Sequence, residues 1–237
     1  MIRIAIISAM EIELAPLIEI LTEDGSWVAD SNESFVNAGL GLTVCCGVLG
    51  VGKVNAAYRT AEIIHNFNPE LIINVGFAGG LKDGASGGDI VIGNDYRQVD
   101  FRALSLDNKP GLVPQAKPYI IPEKLIELLR QKSLALSFSC HVGRIATGDF
   151  FLNDTGTKNR IIADFSPVAF DMESAAIAHV CADKGIPFVS VRTLSDLADD
   201  HAHKAVKELT GRIEQRPIQI VLSVLGEVDG YSKWKTS

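Results

Sequence analysis

Two segments, LIINV at residues 71–75 and FVSV at residues 188–191, carry apolar side chains at both odd and even positions. Successive side chains of a strand point to opposite faces. A strand with this pattern is therefore buried on both sides, and a sheet built from such strands needs a layer of helices on each face. Short apolar, β-branched runs recur at residues 2–7, 42–46, 71–75, 89–92, 141–146, 167–170 and 188–193. They alternate with stretches of helical period at 16–22, 53–66, 122–131, 158–164, 174–184 and from about 202 to 225. The last stretch holds Pro217, which predicts a break or kink there. The segment SAAIAHVCA at 174–182 is apolar all round and is expected to pack deep against the sheet. The expected class is α/β. The chain has 237 residues, 47% of them apolar, enough to bury one large core. One domain is expected over residues 1–237, with about 227–237 as a polar tail.

Charge and cysteine usage narrow the class of partner. The net charge is −7, with acids and bases interspersed and no basic stripe, which argues against nucleic acid. Cys45, Cys46, Cys140 and Cys181 form no C-x-x-C pair and lie in apolar stretches. They read as reduced, mostly buried thiols of a cytoplasmic protein. No apolar run is long enough to span a membrane, and MIRIAIISAM is followed by acids, unlike a secretory signal.

In open α/β sheets, ligands bind where strands end and helices begin. Four expected strand ends carry acids: Glu11 and Glu13; Asp149; Asp171 and Glu173; and Asp196 with Asp199 and Asp200. Acids at one such junction also serve as helix N-caps, so any single one has two readings. Asp171 is read as the cap of the helix starting near Ser174. Two junctions are rich in glycine. GVLGVGK at 47–53 nearly matches a nucleotide-binding phosphate loop, but Val54 stands where that loop needs a hydroxyl for its magnesium ion. GFAGGL at 76–81 is either a tight turn or a place where a ligand approaches the backbone, and sequence does not separate the two. His201 and His203 sit two apart and point away from each other on a helix. No spacing of Cys or His suggests zinc.

Five segments in order carry a resemblance: SAMEIE at 8–13, GVGKVNAA at 50–57, GFAGGL at 76–81, TGDFFLN at 147–153, and DMESAAIAHV at 171–180 followed by SVRTLSDLAD at 190–199. Together they resemble the bacterial 5′-methylthioadenosine/S-adenosylhomocysteine nucleosidase family, within the purine nucleoside phosphorylase-like superfamily. The resemblance implies a three-layer α/β/α sandwich around a mixed, partly barrel-like sheet, and a homodimer. It implies that water cleaves the bond between adenine N9 and ribose C1′, with no metal and no cofactor. Position by position, it implies that Glu13 activates water, Glu173 holds the ribose hydroxyls with Met172 against the sugar, and Asp196 protonates purine N7 with Ser195 beside it. Phe151 and Leu152 correspond to the residues that hold the base, and Met10, Phe77 and Ala78 to the lining of the same pocket. These residue types suit the reaction. N-glycoside cleavage builds positive charge on the sugar, which a carboxylate stabilises, while the leaving base needs a proton and the water needs a base.

A glutamate at the nucleophile position repels a phosphate dianion, and the 47–55 loop offers Lys53 but no arginine, so hydrolysis is expected over phosphorolysis. Three features depart from the family pattern. Phe77 replaces a small residue, YRQVDFRAL at 96–104 replaces a His-Asp-x-Asp-like stretch, and the helical region after Asp199 is shorter than the family's. All three touch substrate selection, not the three acids. The alternatives are a related purine nucleosidase or phosphorylase for another nucleoside, of futalosine or nucleotide type, and a non-catalytic adenosine-binding protein.

Overall fold

The computed structural model describes residues 1–31, 33–101, 111–114, 116–200, 202 and 213–226. Among these, nine strands share one sheet: β1 (Ile2–Ser8), β2 (Val28–Ala29), β3 (Ser34–Asn37), β4 (Leu42–Val48), β5 (Leu71–Gly80), β6 (Ile90–Gln98), β7 (Cys140–Thr147), β8 (Ala169–Asp171) and β9 (Phe188–Asp196). The helices are α1 (Glu11–Glu23), α2 (Lys53–Phe67), α3 (Glu123–Ala135), α4 (Thr155–Phe165), α5 (Ser174–Lys184) and α6 (Gln215–Leu225).

The strand order is β2-β3-β4-β1-β5-β8-β7-β6-β9, and β9 pairs back onto β5. Five strands thus close a small barrel, and the other four extend from it as an open sheet. The sheet is mixed: β1 runs parallel to β4 and β5, whereas β8 is antiparallel to β5 and β6 is antiparallel to β9.

Alternation along the strands builds two cores. Ile4 and Ile6 of β1 face one side, with Leu14, Leu17 and Leu21 of α1, Leu125 and Leu129 of α3, and Ile218 and Val221 of α6. Ala5 and Ile7 face the other, with Ala56 and Ile63 of α2 and Ala175, Ile177, Ala178 and Cys181 of α5. This is the expected α/β/α layering, and α5 is buried along most of its length because both the sheet and α2 cover it. A smaller cluster, Leu81, Ala146, Leu152, Ile161, Phe170 and Ala198, lies under α4.

Several elements differ from the sequence expectation. β5 runs on through the glycine segment to Gly80, and β9 runs on to Asp196, so neither segment is a loop. α1 starts at Glu11 rather than Pro16, and Pro16 sits buried inside it. The helix expected from 202 to 225 is not continuous. Ile213 and Glu214 form a turn, and α6 begins at Gln215. Pro217 is therefore in the first turn of α6, where the backbone N–H has no helical partner to lose. Residues 203–212 and the expected tail at 227–237 lie outside the described residues.

Candidate active site

The barrel mouth opens into a cavity of about 590 Å³. Glu13 enters it from the first turn of α1. Its Oε2 accepts the Met10 N–H at 2.9 Å, a helix residue reaching back to the residue that caps its own helix. Its Oε1 accepts the Phe77 N–H at 2.8 Å. Both bonds fix the carboxylate, and burial pushes its pKa up against the opposing charge of Arg192 and those N–H groups. The fit requires glycine at 76. Its φ of +148° lies outside the range of ordinary side chains, and a Cβ there would collide with Glu13 Oε1 and lie 2.6 Å from Arg192 Nη1.

Glu173 stands just after β8, at the start of α5. Its Oε1 accepts the Gly52 N–H at 3.0 Å, and its Oε2 lies 3.5 Å from Arg192 Nη2. Asp171, at the end of β8, accepts from Thr147 Oγ1 at 2.7 Å, from Arg192 Nη2 at 2.7 Å and from the Ser174 N–H at 3.2 Å. The cap reading of Asp171 thus accounts for its bonds from the Glu173 and Ser174 N–H groups, and its ion pair with Arg192 adds a second use. Arg192 is fully buried on β9 and serves Asp171, Glu173 and Ser174 through one nitrogen. A cation in that position offsets the cost of burying several acids together.

Asp196 ends β9. Its Oδ2 accepts Ser195 Oγ–H at 2.6 Å and its Oδ1 accepts the Ala198 N–H at 2.7 Å. Burial raises its pKa, with those two hydrogen bonds opposing. Gly79 of β5 lets the strand pass close by, since a Cβ there would lie 3.1 Å from Asp196 Oδ1. The cavity therefore presents carboxylates at three such places: Glu13 at a helix start, Asp171 and Glu173 at a strand-to-helix junction, and Asp196 at a strand end.

The chain matches the model of the phosphorylase superfamily over residues 3–226. The 5′-methylthioadenosine/S-adenosylhomocysteine nucleosidase of Exiguobacterium sp. is 35% identical over 226 residues, covering 94% of this chain and 97% of that protein. The enzyme of the same name from Bacillus subtilis is 33% identical, covering 95% and 99%. The chain belongs to this nucleosidase family. Its enzyme class is accordingly that of the N-glycosyl hydrolases. A crystal structure of the Neisseria meningitidis nucleosidase in complex with methylthio-immucillin-A has a TM-score of 0.83 at 31% identity, covering 96% of this chain and all of that one. The native structure of futalosine hydrolase from Helicobacter pylori has a TM-score of 0.84 at 24% identity, covering 95% and 98%, a likeness of fold.

In this nucleosidase, the residues singled out from the sequence share one cavity: Glu13, Glu173 and Asp196, together with Met10, Phe77, Ala78, Phe151, Leu152, Met172 and Ser195. Leu152 is buried, while Phe151 and Met10 stand at the exposed rim. Of the other acids marked at strand ends, Asp171 also lines the cavity, whereas Glu11, Asp149, Asp199 and Asp200 stay outside its lining. Asp149 accepts the Lys53 N–H, Asp200 accepts from Thr155 Oγ1, and Glu11 is exposed in the first turn of α1. GVLGVGK forms the end of β4, a turn and the start of α2. His201 and His203 lie outside the described residues. Arg192 lies in none of the site positions that the sequence motifs point to. Its signal was an arginine within the apolar run FVSVRT, a residue type rarely buried unless paired. Ile12, Val51, Phe150 and Glu214 also line the cavity unannounced.

Burial, then the nearby Asp171 charge, raise the Glu173 pKa to about 7, with Arg192 and the Gly52 N–H opposing. An acid whose pKa is higher in the folded chain binds more protons there than in the unfolded chain. Its stabilising contribution is complete below its ordinary value of 4.5 and is lost as pH rises through about 7. Urea unfolding across that window should show stability falling with pH, and Glu173→Gln should flatten that slope. An unchanged slope in the variant would assign the dependence to other groups.

Proposed function

We propose that the enzyme hydrolyses the N-glycosidic bond of 5′-methylthioadenosine and S-adenosylhomocysteine, releasing adenine and the thioribose product. The observation that carries the reading is the convergence of Glu13, Glu173 and Asp196 on one cavity from three separate chain segments. Glu13, held by two backbone N–H groups, takes a proton from the attacking water. Its raised pKa brings its basicity nearer to what that transfer needs. Glu173 accepts from the ribose hydroxyls and stabilises the positive charge that builds on the sugar. Asp196, whose burial favours its protonated form, gives a proton to adenine N7. Phe151 and Leu152 hold the base, and Met172 packs on the sugar. The names carried by the relatives support these substrates.

The charge around the cavity supports hydrolysis over phosphorolysis. Glu13, Asp171, Glu173, Asp196 and Glu214 line it, and among the described lining residues there is no lysine or arginine. Among the described lining residues, a phosphate dianion, whether nucleophile or 5′ substituent, meets no cationic side chain. Phe77, in the cavity lining, limits the 5′ substituent by bulk.

We further infer that residues 1–237 act as one domain, that the enzyme works in the cytoplasm with its four free thiols reduced, and that it forms a homodimer. The dimer is supported by exposed apolar residues at the cavity rim and on α2, with Ile12 61%, Val54 78% and Tyr58 71% exposed. The test is to incubate the purified protein with methylthioadenosine, S-adenosylhomocysteine, adenosine, inosine and AMP, and to follow free base by chromatography. Adenine from the first two is expected. Base released only from another nucleoside would overturn the assignment of substrate, and Phe77 would be the first residue to exchange for serine.

A further inference from the structure

Lys53 lies outside the cavity, yet a closed ring of hydrogen bonds runs through it to both halves of the site. The Gly52 N–H donates to Glu173 Oε1 at 3.0 Å, and the next N–H along the chain, that of Lys53, donates to Asp149 Oδ1 at 2.7 Å. The Asp149 N–H in turn donates to Asp100 Oδ2 at 2.9 Å. Asp100 Oδ1 takes the Lys53 ammonium at 2.7 Å, which also reaches Gln98 Oε1 at 3.3 Å. The ring ties together the start of α2, the end of β6 and the segment after β7. The first of these supplies the N–H that holds Glu173, and the last carries Phe151 and Leu152 three residues or fewer beyond Asp149. Gly52 makes the approach possible. Its φ is +93°, and a Cβ there would lie 3.3 Å from Asp149 Oδ1.

We propose that Lys53 and Asp100 are positioning residues, a bracket that sets the ribose-holding carboxylate and the base-holding segment at a fixed distance from each other. The bracket rests on the reading of Glu173 and of residues 150–152 given above. Exposed ion pairs contribute little. This one differs in two respects: the side chains of Lys53 and Asp100 are only 17% and 25% exposed, and each makes a second bond, Lys53 to Gln98 Oε1 and Asp100 to the Asp149 N–H. Its function is geometric. Without it, Asp149 keeps its bond to the Lys53 N–H but loses the clamp on its own N–H, and the base-holding segment moves relative to Glu173.

The test uses the full chain with Lys53→Met and Asp100→Asn, and Lys53→Arg as the variant that keeps the charge. Hydrogen exchange is read on peptides covering residues 50–53 and 148–153. Exchange there is expected to rise about tenfold in Lys53→Met and Asp100→Asn, the loss of roughly one hydrogen bond to a charged group, and to return toward the wild-type rate in Lys53→Arg. With methylthioadenosine, KM is expected to rise by about tenfold with kcat changed far less, because the loss falls on binding. Unchanged exchange in both variants overturns the bracket, whatever the activity. Faster exchange with kcat and KM both unchanged overturns its positioning role. Failure of the wild-type protein to release base from any nucleoside overturns the proposed function instead, while the exchange result still decides whether the bracket holds the two segments.

Discussion

Glu13→Gln is expected to lower adenine release by roughly 10²–10⁴-fold, the usual contribution of a positioned general base. The amide is nearly the same size as the carboxylate and enters a site already shaped for it. It retains one acceptor for either the Met10 or the Phe77 N–H, the two groups that hold Glu13 now. It cannot take a proton from water. Substrate binding should change much less than turnover, because Glu173, Asp196 and the residues at the base all remain. Single-turnover rates set beside equilibrium binding of methylthioadenosine separate the two effects. Turnover within a few-fold of wild type would remove Glu13 from the role of base. Equal losses in binding and turnover would make it a structural residue of the cavity wall.

Arg192→Met is expected to cost about 3–5 kcal/mol of stability, as when one partner of a buried ion pair is removed. The methionine fills much of the space with apolar atoms, but Asp171 and Glu173 then lie buried without their cation, and Glu13 loses an attractive charge as well. The loss has a sign in pH. It is largest where the acids are ionised and shrinks as they take up protons at low pH. Urea unfolding at neutral and mildly acidic pH should show both the loss and its decrease. Adding Asp171→Asn to Arg192→Met should recover part of it, since one stranded charge is removed. A change below about 1 kcal/mol at neutral pH, the scale of an exposed pair, would mean that water or rearrangement compensates the acids.

The layered core was legible because its signal is local and repeated. Strands such as residues 71–75 and 188–193 are apolar on both faces, and no other arrangement buries both. The closure of β9 onto β5 was not legible from periodicity, because it depends on pairing between distant segments, and it entered only through the resemblance. Glycines at 76, 79 and 80 read as punctuation. In the fold they are strand residues whose missing side chains make room for Glu13, Arg192, Asp196 and Ala198. Pro16 suggested a helix start, yet α1 begins five residues earlier, at the turn that Glu13 itself stabilises. β2 and β3, of two and four residues, are too short for a period to register.

The acids of the site were visible as residue types at strand ends, but their sorting was not. Asp149, Asp171 and Asp196 look alike in sequence. One caps α2 from outside the cavity, one pairs with a buried arginine, and one is held in the cavity by Ser195 Oγ–H and the Ala198 N–H. The differences come from partners remote in sequence: Lys53, Arg192 and Gly79. Backbone donors such as the Gly52 and Phe77 N–H groups carry no side-chain signature at all, so the features that tune Glu173 and Glu13 had to await the fold.

The central claim is that a water molecule activated by Glu13, and not phosphate, attacks the sugar. The most direct measurement is the mass of the sugar product formed from methylthioadenosine in saturating inorganic phosphate. Free 5-methylthioribose, formed at the same rate with and without phosphate, is the expected result. A 5-methylthioribose 1-phosphate product, or a rate that saturates with phosphate, would contradict it.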